Sequence, residues 1–198
     1  MQSLSACIEQ AGKLLRQNPI RGYFYSTDRE GSETTLVSAF KSEQPTYVCS
    51  VGAMRLAFAQ MIGDDSLFTP AGNLSETRVR AHPFYKQGMR LLGKAFAESE
   101  AIQRRYGSKT GFSSDSARVI EGAVIEVNDS GRVDWEAIYD AFDRAAEMAR
   151  TEGRDGIVTQ SGEEDEPQEQ PNLGQLLSEP QPLTKKELDM MLAAKDSV

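Results

Sequence analysis

Apolar residues recur at every third or fourth position along most of the chain up to residue 150, the period of helices packed on a core. Leu4, Ile8, Ala11, Leu14 and Leu15 form the first stripe and predict a helix over 3–17, ended by Asn18-Pro19. Cys7 lies on the same side and reads as a small buried residue. From Ser50 to Ile62 the chain is apolar over most of a helix circumference, through Val51, Met54, Leu56, Ala57, Phe58, Met61 and Ile62. Such a helix belongs at the centre of a core, and Gly63-Asp64-Asp65 stops it. Residues 64–74 read as a loop, and Ser75 starts a short helical turn. Pro83 opens a longer helix over 84–106, with Phe84, Tyr85, Leu91, Leu92, Ala95, Phe96, Ile102 and Tyr106 as its stripe and Gly107 as its end.

After a Ser/Gly-rich loop at 108–116, Val119, Ile120, Ala123, Val124 and Val127 fit a helical face capped by Ser116. Strand alternation is the competing pattern there, and Gly122 weakens the helix. Asn128-Asp129-Ser130-Gly131 reads as a turn. Asp134 caps a last body helix that sets Trp135, Ile138, Tyr139, Phe142, Ala145, Ala146 and Ala149 on one face, closed by Gly153 and Gly156. Two early segments break the helical period. Gly22–Ser26 and Thr34–Phe40 are rich in aromatic and β-branched residues, and turn-forming residues 28–32 join them. They predict a small β-hairpin that packs on the helices, since a lone hairpin is marginal in water. The body, residues 1–155, is therefore expected to be mainly α, with four or five helices and that hairpin.

Beyond the body the pattern changes. Residues 156–182 are dominated by Glu, Gln, Pro, Ser and Gly and predict a disordered acidic linker, which buries too little apolar surface to offset the entropy of ordering. Leu173-Gly174-Gln175-Leu176-Leu177 is a small apolar island within it. Residues 183–198 then predict a short amphipathic helix. Thr184 and Glu187 form a T-x-x-E capping box, and Leu183 can pack on Leu188 as a hydrophobic staple. A helix this short is marginal alone, so its stability must come from whatever it touches.

Charge sharpens this division. Of the chain's net charge of -8, seven units lie in residues 151–198, which hold eleven Asp and Glu against four Lys and Arg. The body is close to neutral, which argues against direct binding to nucleic acid. An acid excess carried on a flexible arm also differs from the fixed surface charge that mimics DNA. Two cysteines, Cys7 and Cys49, are too few for a disulfide scaffold and have no metal-ligand spacing. No metal and no cofactor is expected. The start, MQSLSACIEQAGKLL, lacks the basic and apolar regions of a signal peptide, and no stretch is long enough for a membrane span. The expected setting is the cytoplasm, with no membrane contact.

Candidate chemistry is sparse. Leu188, Met191 and Leu192 recur at i, i+3 and i+4 and, with Leu183, form the best candidate partner-binding face, in the manner of a helix laid into a groove. The alternatives are that the helix docks on the body or frays without a stable contact. Cys49 stands at a helix start, where free N–H groups favour a thiolate, and His82 and Asn128 follow in the Cys, His, Asn order of papain-type hydrolases. The hydrophobic approach Tyr47-Val48-Cys49 argues instead for a buried, inert thiol. Asp64-Asp65 lacks the surroundings of a cation site, and Arg78, Arg80, Arg104 and Arg105 read as solvated helix faces.

Two stretches together carry a family resemblance. Cys49-Ser50-Val51-Gly52-Ala53-Met54, and later Val127-Asn128-Asp129 with Gly131-Arg132 before an amphipathic helix, resemble an uncharacterised family of small helical proteins of bacteria and their phages. That family carries a Cys-x-x-Gly-Ala helix start and a later Trp-Asn-Asp followed by Gly-Arg. Val127 stands here where the family has Trp. The resemblance covers residues 3–150 and implies a fold and a bacterial or phage setting, without an activity. It also implies that Asn128 and Asp129 fix a turn beside the Cys49 helix start. The function expected is that of a non-catalytic adaptor whose C-terminal helical arm binds a bacterial host or phage protein or a second copy of the chain. The alternatives are a Cys-dependent hydrolase centred on Cys49 and a structural component of a phage particle.

Overall fold

The run Ser50–Ile62 carries almost no polar side chain, and it folds into the helix around which the other elements pack. The computed structural model describes residues 3–30, 32–44, 46–106 and 110–151. Among them are α1 (Leu4–Gln17), β1 (Tyr25–Ser26), α2 (Leu36–Lys41), β2 (Tyr47–Val48), α3 (Ser50–Ile62), α4 (Glu76–Ala81), α5 (Pro83–Glu98), α6 (Glu100–Tyr106), α7 (Ala117–Asp129) and α8 (Trp135–Thr151). Short 3-10 turns lie at Asp65–Leu67 and Thr110–Ser113. The expected linker 156–182 and terminal helix 183–198, with Leu183, Leu188, Met191 and Leu192, lie outside the described residues.

α3 is buried from Ser50 through Ala59 and again at Ile62, and is surrounded by α1, α2, β2, α4, α5 and α7. α1 is capped by Ser3, whose hydroxyl accepts the Ala6 N–H at 3.2 Å. Its buried face, Leu4, Cys7, Ile8, Ala11 and Leu15, packs against α3 and α8. α5 bridges α8 and α7, and its Tyr85 ring meets Phe58 of α3 edge-on, centroids 5.5 Å apart. Each fully buried side chain of this size contributes about 1.5–3 kcal/mol through burial.

The mainly helical body with a small antiparallel strand pair is as expected, but the strand partner is not. β1 pairs with β2, Tyr25 opposite Val48 and Ser26 opposite Tyr47. Thr34–Phe40, the expected second strand, is largely helix. The Thr35 hydroxyl accepts the Ser38 N–H at 3.2 Å and starts α2, which buries Leu36 and Ala39 three residues apart. Local capping thus overrides β-propensity.

The four or five expected body helices become eight among the described residues: α2 is new, the turn expected from Ser75 is the short helix α4, and α6 is split off from the helix before it. The single helix expected over 84–106 breaks at Ser99, whose backbone is extended. Ser99 N–H closes α5 on Phe96 O, and its carbonyl accepts Gln103 N–H to begin α6. Over 117–129 the helical pattern prevails over the strand alternative, and Asn128 and Asp129 are the last residues of α7 rather than a free turn.

Gly52 sets how closely the segment before β1 approaches α3. A Cβ there would lie 2.0 Å from the Phe24 carbonyl oxygen. Gly122, exposed on α7, has nothing within 4 Å of such an atom. Gly52→Ala should therefore destabilise the fold by about 3 kcal/mol or more through backbone overpacking. Gly122→Ala should stabilise it by about 0.5–1 kcal/mol through helix propensity. Urea denaturation of both variants checks the opposite signs.

Candidate functional site

Two polar centres sit on the central helix. The first is its N-terminus. Cys49 is the N-cap of α3, and its Sγ accepts the Gly52 N–H at 3.3 Å. The Cys49 N–H donates to Phe24 O at 3.2 Å, and Cys49 O accepts the Ala53 N–H at 2.8 Å. Both the backbone N–H and the hydroxyl of Ser50 donate to Asn128 Oδ1, at 3.2 and 2.9 Å. Asn128 is fully buried, and its Nδ2 donates to Ile20 O at 3.3 Å and to Asp129 Oδ1 at 2.7 Å. Asp129 Oδ1 also accepts the Gly22 N–H at 2.8 Å. The end of α7 thus ties the 20–22 segment to the start of α3. Arg21 closes the tie by donating to the carbonyls of Asn128 and Val133 and lying over the Trp135 ring, 4.3 Å from its centroid.

This geometry decides the fate of the thiol. The N–H groups of Gly52 and Val51 favour a thiolate, but burial outweighs them and pushes the Cys49 thiol up to about 11. The helix-start effect anticipated from the sequence is present and loses to desolvation. His82 is far away. Its Nε2 lies 3.7 Å from Asp64 Oδ2, just past the last turn of α3. α3 has 13 residues, so its ends stand about 20 Å apart at the usual helical rise. The structure brings Cys49 and Asn128 to one end of the helix and leaves His82 at the other. His82 instead caps α5, its Nδ1 accepting the Phe84 N–H at 3.3 Å.

The second centre is a buried ion pair that the sequence reading passed over. Arg55, on α3, is only 4% exposed and Glu121, on α7, only 3%. Arg55 reaches Glu121 in a bidentate arrangement, Nε to Oε1 at 3.2 Å and Nη2 to Oε2 at 3.0 Å. Tyr85 of α5 donates its hydroxyl to Oε1 at 2.6 Å. From α4, Arg80 Nε stands 3.1 Å from Oε2, and Glu76 Oε2 accepts from Arg55 Nη1 at 3.3 Å. The Phe24 ring lies under the guanidinium, 4.5 Å away. Tyr25 is buried nearby, and its hydroxyl has no hydrogen-bond partner among the described residues. Burial works against the charge on Arg55, but Tyr85 and Glu121 more than reverse it, so the guanidinium stays protonated. Burial, then the Glu121 carboxylate, hold Tyr85 well above the ordinary phenol range, so it remains a donor. The centre fixes charge and orientation.

A signal for this centre was present in the chain. Arg55 is the one charged residue in an otherwise uncharged Ser50–Ile62 segment, and a helix buried on all sides must pair such a charge. Arg80, expected on a solvated face, is instead half-buried against Glu121. Asp64 caps a 3-10 turn through the Ser66 N–H at 2.7 Å. Arg78 donates to the carbonyls of Ser66 and Phe68, and Arg104 pairs with Glu100 within α6.

Open clefts of about 440 and 460 Å³ lie elsewhere, one beside Leu91 and Phe112, the other beside Leu14 and Leu56. Neither is lined by Cys49, His82, Asn128 or Arg55. No group of three or more His, Cys, Asp or Glu that could hold a metal ion occurs among the described residues. None of their helices is long and apolar enough to cross a membrane. Comparison with known proteins gave no matching family model, no matching curated protein and no matching solved structure.

Two outcomes follow from these centres. Cys49 should resist iodoacetamide at neutral pH in the folded protein and label readily once urea exposes it, as mass spectrometry of the modified peptide reads. Glu121→Ala should cost about 3–5 kcal/mol by stranding Arg55, whereas Arg55→Met with Glu121→Leu should recover part of that loss, the buried Tyr85 hydroxyl still lacking its acceptor. Urea midpoints of the single and double variants measure the difference.

Proposed function

We propose that this protein is a non-catalytic adaptor, and that its C-terminal segment binds a partner protein through Leu183, Leu188, Met191 and Leu192. One observation carries the reading. A capping box, Thr184 to Glu187, and a staple, Leu183 to Leu188, specify a helix that follows an acidic, Pro-rich stretch with little apolar surface to cover it. A helix predicted with so clear a start and so few apolar residues near it in sequence is suited to binding in a groove. The body supports the reading by how its reactive groups are used. The Cys49 thiol caps a helix and is sealed by burial, the Asn128 amide is spent on Ser50 and Ile20, and His82 caps α5. The hydrolase alternative gains nothing from this arrangement.

The family resemblance at Cys49–Met54 and Val127–Arg132 points to a bacterial host or phage protein as partner, met in the bacterial cytoplasm. Self-association through the same face is the variant of this reading in which the partner is a second copy. A phage structural component would be its assembled form.

Leu188→Asp with Met191→Asp in the full chain should reduce partner capture from host lysate by about tenfold or more, since anchor residues dominate such contacts. The body should unfold unchanged in urea. Capture equal to that of the unsubstituted protein would remove the arm from the binding surface. Sedimentation of both proteins separates self-association from binding to another chain.

A further inference from the structure

α7 buries Ile120, Val124 and Val127 and turns its opposite face outward. Gly122 stands at the middle of that outer face. Among the described glycines it alone has neither a positive φ nor an atom within 4 Å of where a Cβ would lie. Gly52, Gly88 and Gly93 each have a neighbour 2.6 Å or less from that position, and Gly22, Gly63, Gly72 and Gly131 have left-handed backbones. Nothing within one copy of the body therefore calls for glycine at 122, where most side chains would favour the helix. Val119, one turn earlier on the same face, is 48% exposed, one of two large apolar side chains so placed among the described residues.

The residues around Gly122 are matched on its two sides. Arg118 and Glu126 stand four places before and four places after it, and both are exposed. Val119 and Ile125 stand three places before and three places after it, the first exposed and the second half-buried. All four lie within about 60° of Gly122 around the helix axis. Where two identical helices cross antiparallel about a twofold axis, a residue before the crossing point meets the residue equally far after it on the other copy. A crossing at Gly122 sets Arg118 against Glu126 of the other copy and Val119 against Ile125 of the other copy, each pair occurring twice. Parallel helices in the same register would set Arg118 against itself. Glycine at the crossing point lets the two backbones approach until the flanking side chains touch.

We propose that this face of α7 joins two copies of the protein, antiparallel about a twofold axis at Gly122. The contact belongs to the body and is separate from the partner-binding role assigned to the C-terminal arm. Tyr106 reaches the Glu126 carbonyl from one flank at 3.2 Å and leaves Gly122 open. The ends of the contact are set by two acids that a longer pairing would bring together. Asp129 is held by Gly22 and Asn128, and Asp115 lies before the helix, 3.7 Å from Arg90. The pairing is thus confined to residues 118–126. A surface of that size falls below the roughly 1,200 Å² of stable complexes, so the dimer is weak and forms as concentration rises.

Sedimentation equilibrium of the full chain tests the pairing. The protein should pass from monomer toward dimer between about 10 µM and about 1 mM. Arg118→Glu leaves acids at both charged positions and Glu126→Arg leaves bases at both, so each alone should weaken association about tenfold or more. An equimolar mixture of the two has opposite charges at both contacts and should regain the association, as should the double variant R118E/E126R. Regain in the mixture also shows that both single variants are folded. Gly122→Lys sets two ammonium groups against each other on the axis and should abolish the dimer without lowering the urea midpoint of the body. A protein still monomeric at about 1 mM would overturn the proposal. So would single variants that associate like the parent, a mixture no stronger than its components, or unchanged association in G122K. A dimer lost in Leu188→Asp with Met191→Asp but kept in the α7 variants would belong to the arm and overturn it equally.

Discussion

A guanidinium removed from water must keep its charge compensated at close range, and Arg55 sits in the most enclosed helix of this protein. Glu121 answers it with both oxygens, and that one contact fixes where α7 lies along α3. Tyr85 then places α5 by donating to the same carboxylate, and Glu76 and Arg80 place α4 by supplying one further charge of each sign. Four helices meet at a point where apolar packing alone would tolerate sliding. The net energy of such a pair is modest, because desolvation takes back much of what attraction gives. Its larger effect is to make any other register strand a buried charge.

The start of α3 works by the same logic with neutral groups. A buried helix N-terminus leaves N–H groups that must find acceptors. Cys49 Sγ, Asn128 Oδ1 and Phe24 O provide them for Gly52, Ser50 and Cys49. This assigns the cysteine a role that its reactivity would otherwise obscure. A thiol in this position is a weak acceptor held among apolar neighbours, and burial keeps it protonated. The asparagine is a better acceptor, and its amide nitrogen extends the tie to the Ile20 carbonyl. The stretches Cys49–Met54 and Val127–Arg132 thus touch one another in the fold through Ser50 and Asn128.

The helical stripes were readable because period alone specifies them. α1, α3, α7 and α8 stand where Leu4–Leu15, Val51–Ile62, Val119–Val127 and Trp135–Ala149 place them, although Val119 points to solvent. The strand partner was not readable. The β-rich run Thr34–Phe40 yields to a hydroxyl cap at Thr35, and the two residues that do pair, Tyr47 and Val48, form too short a run to show alternation. The Cys49–Asn128 neighbourhood was anticipated as a packing feature, whereas the thiol's protonation depended on how completely Tyr47–Cys49 is enclosed. Arg55 and Glu121 were hidden differently. Each looks like one more charge on a helix, and only the faces they share in three dimensions reveal a pair 66 residues apart in the chain.

Both anchors of the central helix come from α7. Asn128 and Glu121 are seven residues, two helical turns, apart, so they lie on one face and grip α3 at Ser50 and Arg55 together. During synthesis the greasy helix leaves the ribosome well before the segment that completes it. Until residues 121 and 128 have emerged, α3 lacks the carboxylate that grips Arg55 with both oxygens and the amide that takes Ser50. The first half of the chain must wait with its most enclosed helix unfinished, and the body matures only once its second half is made.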